Sequence, residues 1–174
     1  LGIALVGLGS YSEQQLGPAL TETCYCRLAG VVSGNREKCE RWRIQYNLED
    51  KDLYSYDTFD EIKSNRDIDI VCITVPNANH AQYVIRAAKA GKHVICEKPL
   101  ATNAEDCQRM IDVCREAGVK LSVGYRLHFV PLNQEMMRLG QNQVFGSVNR
   151  VLARHAIEVG EAGPGLHFLA IEWA

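Results

Sequence analysis

No apolar run in this 174-residue chain approaches the length of a membrane-spanning helix. Neither sign of charge is in real excess: 19 Lys and Arg stand against 21 Asp and Glu. The resulting formal charge of −2 gives no general attraction to nucleic acid or to an anionic lipid surface. There is no Cys-x-x-Cys pair, and Cys24 with Cys26 has the wrong spacing for a common zinc knuckle, so no metal site is expected. The seven cysteines are odd in number and irregularly placed, which argues against a disulfide framework. Cys72 and Cys96 fall inside apolar runs, and Cys107 and Cys114 lie seven apart on one helix face, so all four read as core. Reduced thiols point to a reducing compartment, and a cytoplasmic location is expected. Residue 1 is Leu, already inside a strand, so a trimmed leader would leave the periplasm open. Internal repeats and low-complexity segments are lacking too.

What is present is alternation. Strands are expected at Gly2–Val6, Leu28–Ser33, Ile70–Thr74, Val94–Cys96 and Lys120–Val123, with a weaker one near Leu53–Tyr56. Several are Val- and Ile-rich, as in strands buried on both faces. Between them, Ala81, Val84, Ile85 and Ala88 follow a helical apolar period that Gly91 stops. Cys107, Met110, Ile111 and Cys114 repeat the period, with Gly118 at the end and Thr102 with Glu105 as a capping box at the start. Thr58 with Glu61 is a second capping-box candidate. This rhythm predicts an α/β fold with right-handed crossovers and a doubly wound parallel sheet. After about Tyr125 it changes: Phe129–Leu139 reads as a helix and Ser147–Ile157 as a strand. Gly160, Gly163, Pro164 and Gly165 then break the pattern. The expected division is 1–125 for the first domain and 126–174 for the opening of a second, α+β one.

The first strand runs straight into Gly7-Leu8-Gly9-Ser10-Tyr11-Ser12 and then a helical stretch. Gly7 suits a tight turn, and Gly9 lets the main chain approach a pyrophosphate that the helix start would attract. Ser12 stands where the usual fingerprint has a third glycine, a departure expected to loosen helix–strand packing. The second strand ends in Ser33-Gly34-Asn35-Arg36-Glu37-Lys38. An NAD site usually places an acid at that tip to bind the ribose 2′-OH. A hydroxyl with two cations, Arg36 and Lys38, suits a 2′-phosphate instead, so NADP is favoured. Two alternatives stay open: Arg36 and Lys38 as a solvated helix start, and Glu37 folding back to a ribose hydroxyl, which would allow NAD.

Two further turns follow buried strands. In Thr74-Val75-Pro76-Asn77-Ala78-Asn79-His80, Thr74, Pro76, Asn77 and His80 are placed to meet the cofactor's ribose or nicotinamide. Plain capping by Asn77 or Asn79 is the competing reading, and for His80 a structural helix-start role competes with proton transfer. The strand His93-Val94-Ile95-Cys96 ends in Glu97-Lys98-Pro99. It sets an ammonium, a carboxylate and a chain-bending proline, a candidate cis peptide, at the sheet's carboxyl edge, where open α/β sheets bind ligands. Lys98 is the candidate catalytic residue, polarising a substrate oxygen or exchanging its proton, which partial burial would assist. Glu97 would hold that ammonium or bond to the cofactor.

Gly7-Leu8-Gly9, Val75-Pro76-Asn77 through His80, Glu97-Lys98-Pro99 and Gly124-Tyr125-Arg126 occur in that order. Together they resemble the family of glucose–fructose oxidoreductase, inositol dehydrogenase and related proteins (Gfo/Idh/MocA) over about Gly2 to Val151. Ser33 to Lys38, and Gly124 through Phe129 to Pro131 and Asn133, resemble the glucose–fructose oxidoreductase branch most. The resemblance implies a Rossmann domain, a larger α+β domain on an open sheet, and NADP-linked oxidation or reduction of a sugar or polyol. It implies that Lys98 lies by the nicotinamide and substrate, and that Tyr125 and Arg126 lie near the cofactor where the domains join. It also implies a homo-oligomer for a full-length protein, through the second-domain sheet. The family's Asp-x-x-x-His/Tyr acid/base motif has no match after Val151, and His167 lacks the upstream aspartate. The chain is therefore expected to be a piece of a longer protein or to carry a diverged tail. A non-catalytic NAD(P) sensor on the same fold is the alternative function, and a nucleoside-binding methyltransferase fits the basic residues poorly.

Overall fold

The structure is a computed structural model that describes residues 1–155 and 167–173, with side chains as far as residue 148. It divides into two compact units, Leu1–Gly124 and Tyr125–Ala174.

The first unit is a six-stranded sheet of β1 (Gly2–Val6), β2 (Arg27–Val32), β3 (Leu53–Tyr54), β4 (Ile70–Ile73), β5 (His93–Cys96) and β6 (Leu121–Val123). All neighbours are parallel, in the order β3-β2-β1-β4-β5-β6. This is the expected doubly wound sheet, and the strand order reverses between β1 and β4. The apolar runs are long because both faces are covered. Successive side chains of β1 alternate faces, so Ile3 and Leu5 join Leu8, Val31, Cys39 and Trp42 in one core. Ala4 and Val6 join Val32, Phe59, Ile62, Ile73, Val84 and Met110 in the other.

Helices α1 (Gly17–Glu22) and α2 (Arg36–Tyr46) lie in the first half, α3 (His80–Lys89) and α4 (Ala104–Glu116) in the second. Gly91 and Gly118 close α3 and α4 where the periodicity placed them. The caps differ from expectation. Asn103, not Thr102, starts α4: its backbone is extended and its side chain accepts from Asp106 N at 2.8 Å. Thr58 starts only a 3-10 turn (Phe59–Ser64), and its hydroxyl accepts from Ser55 N at 2.9 Å instead. At the amino edge of the sheet, buried Lys92 donates to the carbonyls of Asn65 and Ile68 at 2.7 and 2.8 Å. Burial pushes that ammonium below the ordinary lysine range, against the pull of Asp69.

In the second unit the predicted helix is split. A 3-10 turn covers Arg126–Phe129, Val130 is extended, and α5 runs Pro131–Gln141. Proline cannot continue a preceding helix, because it bars the residue before it from helical backbone, but it starts one well. Strand β7 (Val148–His155) pairs antiparallel with β8 (His167–Trp173). The glycine- and proline-containing break at Gly160 to Gly165, and Ile157, lie outside the described residues. Among the described residues no helix is long and apolar enough to cross a membrane.

Candidate functional site

Every polar turn singled out in the first unit leaves the carboxyl end of a strand, so all of them meet one edge of the sheet. The glycine turn follows β1, Ser33 to Lys38 follow β2, Thr74 to His80 follow β4, and Glu97-Lys98-Pro99 follows β5.

Gly7 turns the chain at φ +96°, and a Cβ there would lie 3.1 Å from the carbonyl carbon and oxygen of Thr74. Both the backbone and the space therefore demand glycine. Gly9 is different: a Cβ there would meet nothing within 4 Å, and its φ is ordinary. The main chain at Gly9 is bare toward the outside, as a close-approaching pyrophosphate requires. Ser10 is exposed and Tyr11 half-buried in the first helical residues. A π-helical turn, Ser12–Leu16, then leads into α1.

Ser12 reverses the expectation of looser packing. It is fully buried, and its Oγ lies 2.7 Å from Gly7 O and 3.0 Å from Thr74 Oγ1. Thr74 Oγ1 lies 2.9 Å from Val6 O and 2.8 Å from Gly7 O. Two hydroxyl hydrogens and these two carbonyls thus lace the glycine turn to the loop after β4. Thr74 supports the turn with its hydroxyl and does not offer that group outward. The close helix approach falls to Gly17, where a Cβ would collide with the Tyr46 hydroxyl and the Trp42 ring. Ser12→Gly, which restores the usual fingerprint, is expected to lower stability by about 1–3 kcal/mol. A raised Tm for that variant would count against the lacing.

Lys38 and Arg36 separate. Lys38 Nζ donates to Leu8 O at 3.1 Å, tying α2 to the glycine turn and committing one of its donors there. Arg36 is exposed and lines a small pocket of about 90 Å³ with Ser33, Gly34, Cys39, Leu53, Tyr54 and Ser55. Ser33 is buried and its Oγ accepts from Asn35 N at 3.2 Å. Asn35 is a cap, accepting from Lys38 N at 3.0 Å. At the β2 tip Asn35 thus shapes the corner as a cap, and Lys38 has one donor on the glycine turn.

Pro76 and Asn77 are exposed on the rim. Neither Asn77 nor Asn79 makes a side-chain cap, so the capping alternative is not what the structure contains. His80 is 1% exposed, with Nδ1 2.8 Å from Pro99 O and Nε2 2.9 Å from Val75 O. Both nitrogens face main-chain carbonyls, so the ring joins the loop after β4 to the loop after β5. The Lys98–Pro99 peptide is cis. Lys98 itself is exposed, contrary to the expected partial burial, because the turn carries it past the end of the sheet. Glu97 is half-buried, and its Oε2 accepts from Lys98 N at 3.3 Å. The carboxylate lies over Gly124 after β6, where a Cβ would meet Glu97 Oε1 at 2.6 Å. That requirement at Gly124 is visible only once β5 and β6 are seen side by side. Tyr125 and Arg126 belong to the second unit. Cys72 and Cys96, on adjacent strands, have thiols pushed up to about 12 by burial, with smaller contributions from nearby acidic groups.

A family model described as oxidoreductase, NAD-binding Rossmann fold (Gfo/Idh/MocA) matches residues 1–125. The crystal structure of aldose–aldose oxidoreductase from Caulobacter crescentus, complexed with glycerol, matches with a TM-score of 0.89 and 42% identity. That match covers 92% of this chain and 48% of the other. D-xylose 1-dehydrogenase (NADP+) from Haloarcula marismortui is 32% identical over 128 residues, 74% of this chain and 35% of that protein. Inositol 2-dehydrogenase from Gluconacetobacter diazotrophicus is 29% identical over 156 residues, 89% of this chain and 45% of that one. The chain spans about a third to a half of the length of these relatives. With the glycine turn, the reversal point and the Glu97-Lys98-Pro99 corner on one edge, and a family model matched across that whole sheet, the chain belongs to the Gfo/Idh/MocA oxidoreductase family.

Proposed function

We propose that the protein is the cofactor-binding part of an NADP-dependent oxidoreductase acting on a sugar or polyol. The observation that carries this reading is the placement of Gly9 and Lys98 at the ends of β1 and β5. Only β4 separates those strands, a spacing of about 10 Å across the reversal point of the sheet. Bound NADP(H) supplies the hydride acceptor or donor. The bare main chain at Gly9 and the helix start from Ser10 to Ser12 would receive the pyrophosphate. Ser33, Gly34 and Arg36 would receive the adenosine ribose and its 2′-phosphate, with Asn35 and Lys38 holding that corner in shape. Pro76, Asn77 and Glu97 would border the nicotinamide ribose, and Thr74 and His80 would support them from below. Lys98 would act at the substrate oxygen. Residues 1–125 would form the cofactor domain and 126–174 the start of the substrate and dimerisation domain. The activities for which the relatives are named, on xylose, inositol and aldoses, support a polyhydroxylated substrate and an enzyme rather than a sensor.

Cofactor preference tests the reading. Titration by fluorescence of the bound nicotinamide is expected to show NADPH binding more tightly than NADH. Arg36→Ala is expected to weaken NADPH by about 10- to 100-fold, the worth of a charge-assisted bond, and to leave NADH nearly unchanged. A wild-type preference for NADH would overturn the assignment of Ser33 and Arg36.

A further inference from the structure

The Lys98 turn lies beyond the hydrogen-bonded sheet. The ladder holds the chain as far as Glu97, whose N–H donates to Ile73 O at 3.0 Å, while Gly124 N donates to Cys96 O at 2.7 Å. Past that point the chain reverses through Lys98 and Pro99 and reaches α4 only at Asn103. The main chain of this turn is gripped by the His80 imidazole, 2.8 Å from Pro99 O. The same ring reaches Val75 O at 2.9 Å, so one side chain joins the loop after β4 to the loop after β5. An imidazole with a hydrogen on each nitrogen donates to both oxygens, and one with a single hydrogen donates to one of them. A histidine that served only to start α3 would need neither contact, since an N-cap satisfies its own helix's N–H groups.

We infer that His80 is the positioning residue of Lys98. By fixing Pro99 against Val75, its imidazole sets where the ammonium of Lys98 stands relative to the cofactor. The inference rests on the reading of Lys98 given above and adds to it the group that aims that amine. The ring itself is 1% exposed; its contact with Val75 O is buried and that with Pro99 O half-buried. The second support is the Glu97 carboxylate seated on Gly124, which holds the other flank of Lys98.

The test follows Lys98 directly. The full chain is labelled with 13Cε-lysine, and the Lys98 signal is assigned by its loss in Lys98→Arg. In the wild type, NADPH is expected to shift that signal. In His80→Leu the NADPH-induced shift is expected to fall below about half, while the Lys92 signal at the opposite edge of the sheet stays where it is. His80→Gln, with an amide that keeps one donor, is expected to give an intermediate shift. It carries the same readout should the leucine variant fail to fold. A wild-type shift retained in full in these variants overturns the positioning role and leaves Lys98 in place. A wild-type signal indifferent to NADPH overturns the placement of Lys98 itself, and His80's role with it.

Discussion

Gly9→Val is expected to leave the fold almost untouched and to weaken NADPH binding by about 100-fold, near 2.7 kcal/mol. Nothing of the protein lies within 4 Å of a Cβ built at Gly9, and the backbone there is one that any residue adopts. The substitution should therefore change the unfolding free energy by less than about 1 kcal/mol. The added side chain would enter open space that, under the proposed function, a pyrophosphate crosses to reach the main chain, so the loss is expected in binding alone. Gly7→Val is the contrasting variant. Its φ of +96° and its 3.1 Å approach to Thr74 put the damage in the fold itself, and Tm should fall with affinity. Paired thermal unfolding and fluorescence titration separate the two. Wild-type affinity in Gly9→Val would remove the glycine turn from cofactor binding.

The contrast between those two glycines also shows what could be read from the amino acids alone. Buried parallel strands advertise themselves as apolar runs, so β1 was recoverable to the residue, and β2, β4, β5 and β6 to within one residue at each end. Helices α3 and α4 carry one wet face and one dry face; in α4 Met110 and Cys114 are buried, Cys107 is half-buried and Ile111 is exposed. What resisted reading depends on partners distant in the chain. A serine at position 12 looks like a damaged fingerprint until Thr74, 62 residues away, is seen beside it. The bond from the Lys38 ammonium to Leu8 O, 30 residues back, is likewise invisible in the local sequence. Capping-box spacing proposes a pair, but the choice between Thr102 and Asn103 is made by which backbone is extended, here Asn103. Strand β8 follows a glycine-rich break that hides its apolar run, and among the described residues it pairs with β7.

The Lys98 ammonium supports the largest expected kinetic effect. As the carbonyl carbon of a sugar accepts hydride, negative charge grows on its oxygen, and a positioned amine stabilises that charge and gives the proton. In the reverse direction the same amine takes the proton from the hydroxyl. Lys98→Met keeps the length of the side chain and removes the charge. It is expected to cut kcat by about 10²- to 10⁴-fold while NADPH affinity changes little, because under the proposed function the amine would act on the substrate and not on the phosphates. Lys98→Arg keeps a cation that does not give up its proton, so it should recover binding of the substrate and little of the rate. Mixing the NADPH-loaded chain with aldoses, or the NADP+-loaded chain with polyols, and following nicotinamide absorbance reads this directly. Turnover that persists in Lys98→Met removes the amine from the chemistry. A longer form with a complete second domain that binds NADPH tightly and gives no absorbance change in either direction would instead favour the sensor.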